Sequence, residues 1–186
     1  AHSIEDVRNA INSWQLQGET IGLVPTMGNL HAGHLQLIKA ARKQHTKTIV
    51  SIFVNPLQFA PDEDFDSYPR TLKADAQALE SAGAELIFAP SVAQMYPEGL
   101  DAHVQVKLPS LASLLCGEHR PGHFDGVGTV VLKLFNIVQP HSAFFGEKDF
   151  QQLLLIKMIT RQLNVPVHVH GVPTVRAEDG LALSSR

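Results

Sequence analysis

The sequence predicts an α/β protein: a doubly wound parallel sheet with helices on both faces. Three observations carry that expectation. Short β-branched apolar runs alternate with longer stretches whose apolar residues recur at three- and four-residue steps. Glycine- and proline-marked turns separate the two kinds of segment. The length, 186 residues, fills one core and is short for two. A single domain spanning 1–186 is therefore expected.

In order, Ile4, Val7, Ile11 and Trp14 mark an amphipathic helix from Ser3 to near Gly18. Ile21, Leu23 and Val24 read as a buried strand, and a helix is expected to begin near Gly28. Lys47 to Phe53 is a second strand, buried on both faces. The segment Val54 to Phe59 and an acidic, proline-marked loop (Pro61, Asp62, Glu63, Asp64) lead to a helix from about Tyr68 to Ala82, ended by Gly83. Ala84 to Ala89 supplies a third strand. Pro90 to Pro121 reads as an excursion holding two short apolar pieces, His103 to Leu108 and Leu111 to Leu115. Arg120-Pro121-Gly122-His123-Phe124 then opens a helix through Val127, Val130, Val131, Leu134, Phe135 and Val138, with the proline near its first turn. Ser142 to Phe145 makes a short strand. Asp149 to Leu163 makes a helix with Phe150, Leu153, Leu154, Ile156 and Ile159 as its core stripe, and Val165 to Val169 makes the last strand. Such alternation gives parallel strands with helical crossovers.

Composition narrows the function. With 44% apolar and 18% charged residues the chain is not a disordered one. A formal charge of -3 and the lack of a Lys/Arg run argue against nucleic acid as partner. No stretch approaches the ~18 apolar residues of a membrane span, and the first residues carry no basic or apolar leader, so a cytoplasmic protein is expected. Cys116, the single cysteine, fits a reducing compartment and is expected to be a small buried or half-buried side chain.

Chemistry concentrates first in Val24 to His34, VPTMGNLHAGH. His31 and His34 frame a glycine as His-x-Gly-His; on the first turn of a helix the two imidazoles would share a face. The helix N-terminus would aim unpaired N–H groups and its positive dipole end at an anion. Gly28 and Gly33 would let a nucleotide approach the backbone. A polar surface pair or half a metal site is the alternative for an isolated H-x-x-H, but no clustered Cys or acidic ligand accompanies it. The arrangement resembles the signature of the nucleotidylyl-transferase superfamily, with its Rossmann-like sheet.

Three further stretches fall where strands end, the position at which open α/β sheets bind ligands. In Asn55-Pro56-Leu57-Gln58-Phe59 a side-chain amide could hold a hydroxy acid without adding charge, or the segment is a plain turn. In Gly146-Glu147-Lys148-Asp149-Phe150-Gln151-Gln152 the lysine could bridge phosphates and the aspartate could accept ribose hydroxyls or cap a helix. Leu181 to Arg186, after the turn Glu178-Asp179-Gly180, offers two hydroxyls and a guanidinium for phosphate, or a fraying end.

Together the segments VPTMGNLHAGH, SIFVNPLQF, RPGHFDGV, FGEKDFQQL and GLALSSR resemble the pantothenate synthetase (pantoate–β-alanine ligase) family through nearly the whole chain. The resemblance implies an ATP-dependent enzyme of the cytoplasm, a homodimer, that condenses pantoate with β-alanine through a pantoyl adenylate, using Mg²⁺ and releasing pyrophosphate and AMP. It implies that Met27, Gly28, Asn29, Leu30, His31, Ala32, Gly33 and His34 line the ATP site, with His34 as a proton donor. It assigns ribose and phosphates to Gly146, Glu147, Lys148 and Asp149, adenine to the backbone of Val175, and the triphosphate to Leu183, Ser184, Ser185 and Arg186. Gln58 and Gln152 would bind pantoate, with Gln58 also beside β-alanine. Arg120 falls in a loop that the family places near the phosphates or the dimer contact. Family members carry a lid domain after Ser-Ser-Arg, so the chain is expected to correspond to the N-terminal domain alone and to turn over slowly. The catalytic set expected is His31, His34 and Lys148, acting with Arg186 as a cationic cradle where one anion attacks another. Another nucleotidylyl transferase of the superfamily, or a non-catalytic nucleotide-binding or dimerisation module, is the alternative.

Overall fold

The computed structural model describes residues 1–60, 63–108 and 115–185. Among these residues five strands form one all-parallel sheet in the order β3-β2-β1-β4-β5, the doubly wound arrangement expected. They are β1 (Ile21–Thr26), β2 (Lys47–Ile52), β3 (Leu86–Phe88), β4 (Ser142–Gly146) and β5 (His168–Val172). Among the described residues six α-helices accompany them: α1 (Ile4–Leu16), α2 (Ala32–Gln44), α3 (Leu72–Ala82), α4 (Val92–Met95), α5 (His123–Val138) and α6 (Phe150–Gln162).

Strand alternation sends neighbouring side chains to opposite faces. Leu23, Ile49, Ala143 and Phe145 join the core under α1, α5 and α6, while Val24, Val50, Phe144 and Val172 join a second core with Leu37, Ile38 and Leu79 of α2 and α3. The β1–β2 ladder runs from Ile21↔Lys47 through Thr26↔Ile52. The β1–β4 ladder has only Gly22↔Ser142 and Leu23↔Ala143 in register. That thin seam is where the strand order reverses, the switch point at which ligands bind such sheets.

Several boundaries differ from expectation, for local reasons. The helix predicted from Gly28 begins at Ala32, because Gly28 (φ 83) and Asn29 (φ 51) are left-handed and cannot continue a right-handed helix. The helix predicted from Tyr68 begins at Leu72; Pro69 disfavours helical backbone at Tyr68, whose ring is buried beside Phe59. On α6 the stripe is rotated: Phe150 and Leu154 are exposed and Leu155 is buried with Leu153, Ile156 and Ile159. The last strand lies three residues later than predicted, since its register is fixed by β4 (Ser142↔His168 through Gly146↔Val172); Val165 and Val167 pack half-buried before it. Cys116 is exposed, contrary to expectation, in a single 3₁₀ turn whose backbone N–H donates to Gln151 Oε1. The piece Leu111 to Leu115 lies outside the described residues except at its end, as do Pro61, Asp62 and Arg186.

Candidate active site

A cleft of about 460 Å³ opens at the carboxyl ends of the strands. The loop after β1 brings Met27 and His31 and the first turn of α2 brings Gly33 and His34; the turn after β2 brings Gln58; the end of β4 and the turn after it bring Gly146, Lys148 and Asp149; α6 brings Gln152; the chain after β5 brings Val175, Leu183, Ser184 and Ser185. Four segments predicted from separate stretches thus line one cleft. Gly28, Asn29, Leu30, Ala32 and Glu147 do not line it. Glu147 leans instead against Gly171, where an added Cβ would meet its Cγ and Oε1 at 3.2 Å. Arg186 lies outside the described residues.

His31 and His34 are organised by the helix start itself. His31 is the N-cap of α2: its Nδ1 accepts from the Gly33 N–H at 3.1 Å, while the His34 Nδ1 accepts from the His31 N–H at 3.3 Å, a reciprocal capping box made of imidazoles. The rings lie 4.2 Å apart, tilted by 50°. An added Cβ at Gly33 would stand 2.8 Å from the His31 ring, so only glycine permits this fold-back. With both Nδ1 atoms accepting, each neutral ring carries its proton on Nε2. Burial, then the neighbouring His31 and Lys148 charges, against an opposing pull from Asp75, push His34 down to about 4. Burial and Lys148 lower His31 as well. The cleft therefore offers two imidazole Nε2–H donors beside the Lys148 ammonium, with burial disfavouring the charged form of both rings.

The expected phosphate-binding backbone amides are also engaged. Asn29 N–H and Leu30 N–H donate to the two carboxylate oxygens of Asp75, at 3.0 and 2.9 Å. Gly28 N–H reaches Thr26 Oγ1. What the sequence missed here is Asp75, and a signal existed: with Leu72 and Leu79 it falls on the apolar stripe of α3, a charge where the pattern calls for a core residue.

On the opposite wall a buried polar chain fixes Gln58. Tyr96 Oη donates to Asn55 Oδ1 at 2.8 Å, and Asn55 Nδ2 donates to Gln58 Oε1 at 3.0 Å and to the Gly126 carbonyl at 3.1 Å. Because the Gly126 carbonyl can only accept, the polarity of both amides is set, and Gln58 is left with Nε2 to offer a ligand. Burial raises the Tyr96 phenol far above its ordinary value, keeping it a donor. Arg120 pairs with both carboxylate oxygens of Glu63, at 2.7 and 2.9 Å, and donates to the Gln58 carbonyl at 3.2 Å. His123, lowered chiefly by burial, is neutral and gives its Nδ1 proton to the same carbonyl at 2.8 Å. Arg120 thus lines the cleft and braces the Gln58 turn.

At the third edge, the terminal segment folds back on a turn held by the Arg176–Ala182 bridge, and the Leu183 N–H donates to the Val175 carbonyl at 3.1 Å. Ser185 Oγ donates to the Asn29 carbonyl, and Asn29 Nδ2 to the Ser185 carbonyl. Asp149 is exposed at the lip with a carboxylate that caps nothing. Among the described residues no group of three His, Cys, Asp or Glu side chains converges as a metal cage. The exposed Asp149 carboxylate in the cleft lining is the kind of single oxygen donor that fits a magnesium carried in on a nucleotide. Among the described residues no helix is long and apolar enough to cross a membrane.

The profile of the "Pantoate-beta-alanine ligase" family matches residues 1–186. The chain is 56% identical over 184 residues to the pantothenate synthetase of Alteromonas mediterranea, covering 99% of this chain and 65% of that protein. It is 55% identical over 183 residues to that of Shewanella sp. strain ANA-3, covering 98% and 65%. The pantothenate synthetase structure from Thermus thermophilus superposes with a TM-score of 0.92 at 52% identity, over 100% of this chain and 65% of that one. The pantoate-beta-alanine ligase of Francisella tularensis, solved with beta-gamma ATP and beta-alanine, superposes at 0.94 with 41% identity, over 100% and 70%. The chain therefore spans somewhat under two thirds of the length of the curated relatives it matches.

Proposed function

This chain belongs to the pantoate–β-alanine ligase family, and from that premise we propose that its cleft joins ATP to pantoate and presents the pantoyl adenylate to β-alanine, giving pantothenate. The observation that carries the reading is one juxtaposition. His31, His34 and Lys148 stand in the same cleft as the amides of Gln58 and Gln152 and the hydroxyls of Ser184 and Ser185. Donors for a phosphate chain thus face donors for a hydroxy acid.

In the first half-reaction a pantoate carboxylate oxygen bonds to the α-phosphorus while the bond to pyrophosphate breaks. Two anions meet, so rate depends on positioning and on fixed donors where charge grows. Lys148 supplies a full charge, the two Nε2–H groups supply dipoles already aimed, and we assign Arg186 to the same phosphates. Glu147 takes no part in this cradle; Gly146, Asp149 and the Val175 backbone hold ribose and adenine. Magnesium, bound with the nucleotide, supplies charge neutralisation, and Asp149 is the residue that would meet it. Gln58, its amide polarity fixed by Asn55, donates to pantoate together with Gln152. In the second half-reaction the β-alanine amine attacks the acyl carbon beside Gln58, and AMP leaves with the oxygen it had gained. We further propose a cytoplasmic homodimer, checked by sedimentation equilibrium.

Exchange of labelled pyrophosphate into ATP tests the reading, because it requires the adenylate but not the amine. Exchange should depend on pantoate. Exchange with another acid and none with pantoate overturns the substrate assignment, and ATP binding without exchange leaves a non-catalytic nucleotide-binding module.

A further inference from the structure

Asp75 is a charge in an unexpected place. It is 3% exposed, and no Lys, Arg or His forms an ion pair with it among the described residues. Its partners are instead three donors: Leu30 N–H on Oδ1, and Asn29 N–H and the Thr71 hydroxyl on Oδ2 at 3.0 Å each. A buried carboxylate is retained only when its lone pairs are filled in this way. The two amides it fills belong to the turn containing Gly28 and Asn29, two successive left-handed residues of which the second is not glycine. Such a turn persists only when its surroundings hold it. Asp75 Oδ2 lies 3.1 Å from where a Cβ would stand on Gly28, so the carboxylate also packs against the turn. His31 follows that turn directly, and its φ and ψ as the N-cap decide where both imidazoles point.

We infer that Asp75, on α3, is the positioning residue for the His31–His34 pair: it clamps the turn from below so that both Nε2–H donors face the cleft. This rests on the adenylation reading above, which nothing about Asp75 itself supplies. Asp75 touches no reacting atom; it acts through the backbone of residues 29 and 30. Its charge also stands on the protein side of His34, where it favours the protonated ring against the effects of burial and Lys148. The clamp explains why the amides at the start of this motif are closed to phosphate, and it transfers the anion-binding duty to side chains.

The test is Asp75→Asn, which keeps shape but sets an amide NH₂ against one of the two backbone N–H groups. Expected is a folded protein in which the apparent KM values for ATP and pantoate stay within about threefold, while kcat for pyrophosphate exchange falls about a hundredfold. Nitrogen-15 NMR of the imidazoles supplies a readout independent of turnover: the Nε2–H tautomer of His31 and His34 should become mixed and the His34 titration should move further down. Unchanged tautomers and titration in Asp75→Asn overturn the inference, whatever the activity. A wild-type chain without pantoate-dependent exchange overturns the functional reading and leaves the NMR outcome to decide the clamp. Should Asp75→Asn not fold, Thr71→Val removes one of the three donors and spares the two amides. A few-fold drop in kcat with a shifted His34 titration supports the clamp, and a wild-type titration and kcat sink it.

Discussion

Asn29 and Ser185 stand 156 positions apart and hold each other twice: Asn29 Nδ2 donates to the Ser185 carbonyl at 2.7 Å, and Ser185 Oγ donates to the Asn29 carbonyl at 2.9 Å. The last segment of the described chain is thereby tied to the turn that precedes His31. Ser185→Ala removes one of the two bonds. The apparent KM for ATP should rise several-fold, and stability should change by no more than about 1 kcal/mol, since the segment covers little core. Thermal melting and exchange kinetics at varied ATP check both; an unchanged KM would separate this tie from the nucleotide.

Because burial disfavours the charged form of both imidazoles, the property expected to matter is an aimed N–H rather than a charge. His34→Ala should lower exchange about 10²- to 10³-fold with the fold intact. His34→Gln, which restores an N–H donor near Nε2, should recover part of that loss at pH 7.5. Equal rates for the two variants would mean that the ring acts by another route. Lys148→Ala should show a larger salt dependence than either histidine variant, as befits a full charge.

Gly33→Ala tests the folded-back cap. The new methyl would meet the His31 ring at 2.8 Å, so His31 must leave its bond to the residue 33 N–H. Loss of such a cap costs about 0.5–2 kcal/mol. Urea unfolding should register that cost and exchange should fall tenfold or more. A crystal structure of the variant with His31 unmoved would contradict the argument.

Acid should unfold the protein by way of its histidines. His31, His34, His45, His123 and His170 are all lowered, in each case first by burial. Neither ring nitrogen of His45 has a hydrogen-bond partner among the described residues. In the unfolded chain these rings bind protons near pH 6.5, and in the folded one only further down, near 4 for His34. The unfolded state thus holds more protons between those limits, and stability rises with pH there. It should be full above about pH 6.5 and should fall steadily toward pH 4. Urea midpoints at pH 7.5, 6 and 5 check it; a flat series refutes it.

Much of this was legible from residue order. The strand cores at Ile21, Ile49 and Phe144 announce themselves by apolar content alone, and the segments around His31, Gln58, Lys148 and Ser185 announce chemistry that the sheet then gathers. What sequence pattern could not supply was geometry decided by distant partners. The start of α2 depends on backbone handedness at Asn29, and the last strand takes its register from β4. The ionisation of His34 depends on burial among groups from other elements, and the clamp at Asp75 joins two segments 46 positions apart.

The two halves of the sheet meet along a short border, β1 beside β4, with two residue pairs in register against six between β1 and β2. His31 and Gln58 ride on one half, Lys148 and Val175 on the other, so a small rotation about that border would change the gap between the His31 ring and the Lys148 ammonium. Amides of Ser142 and Ala143 should exchange with deuterium sooner than those of Ile49 and Val50, and bound ATP should slow them most.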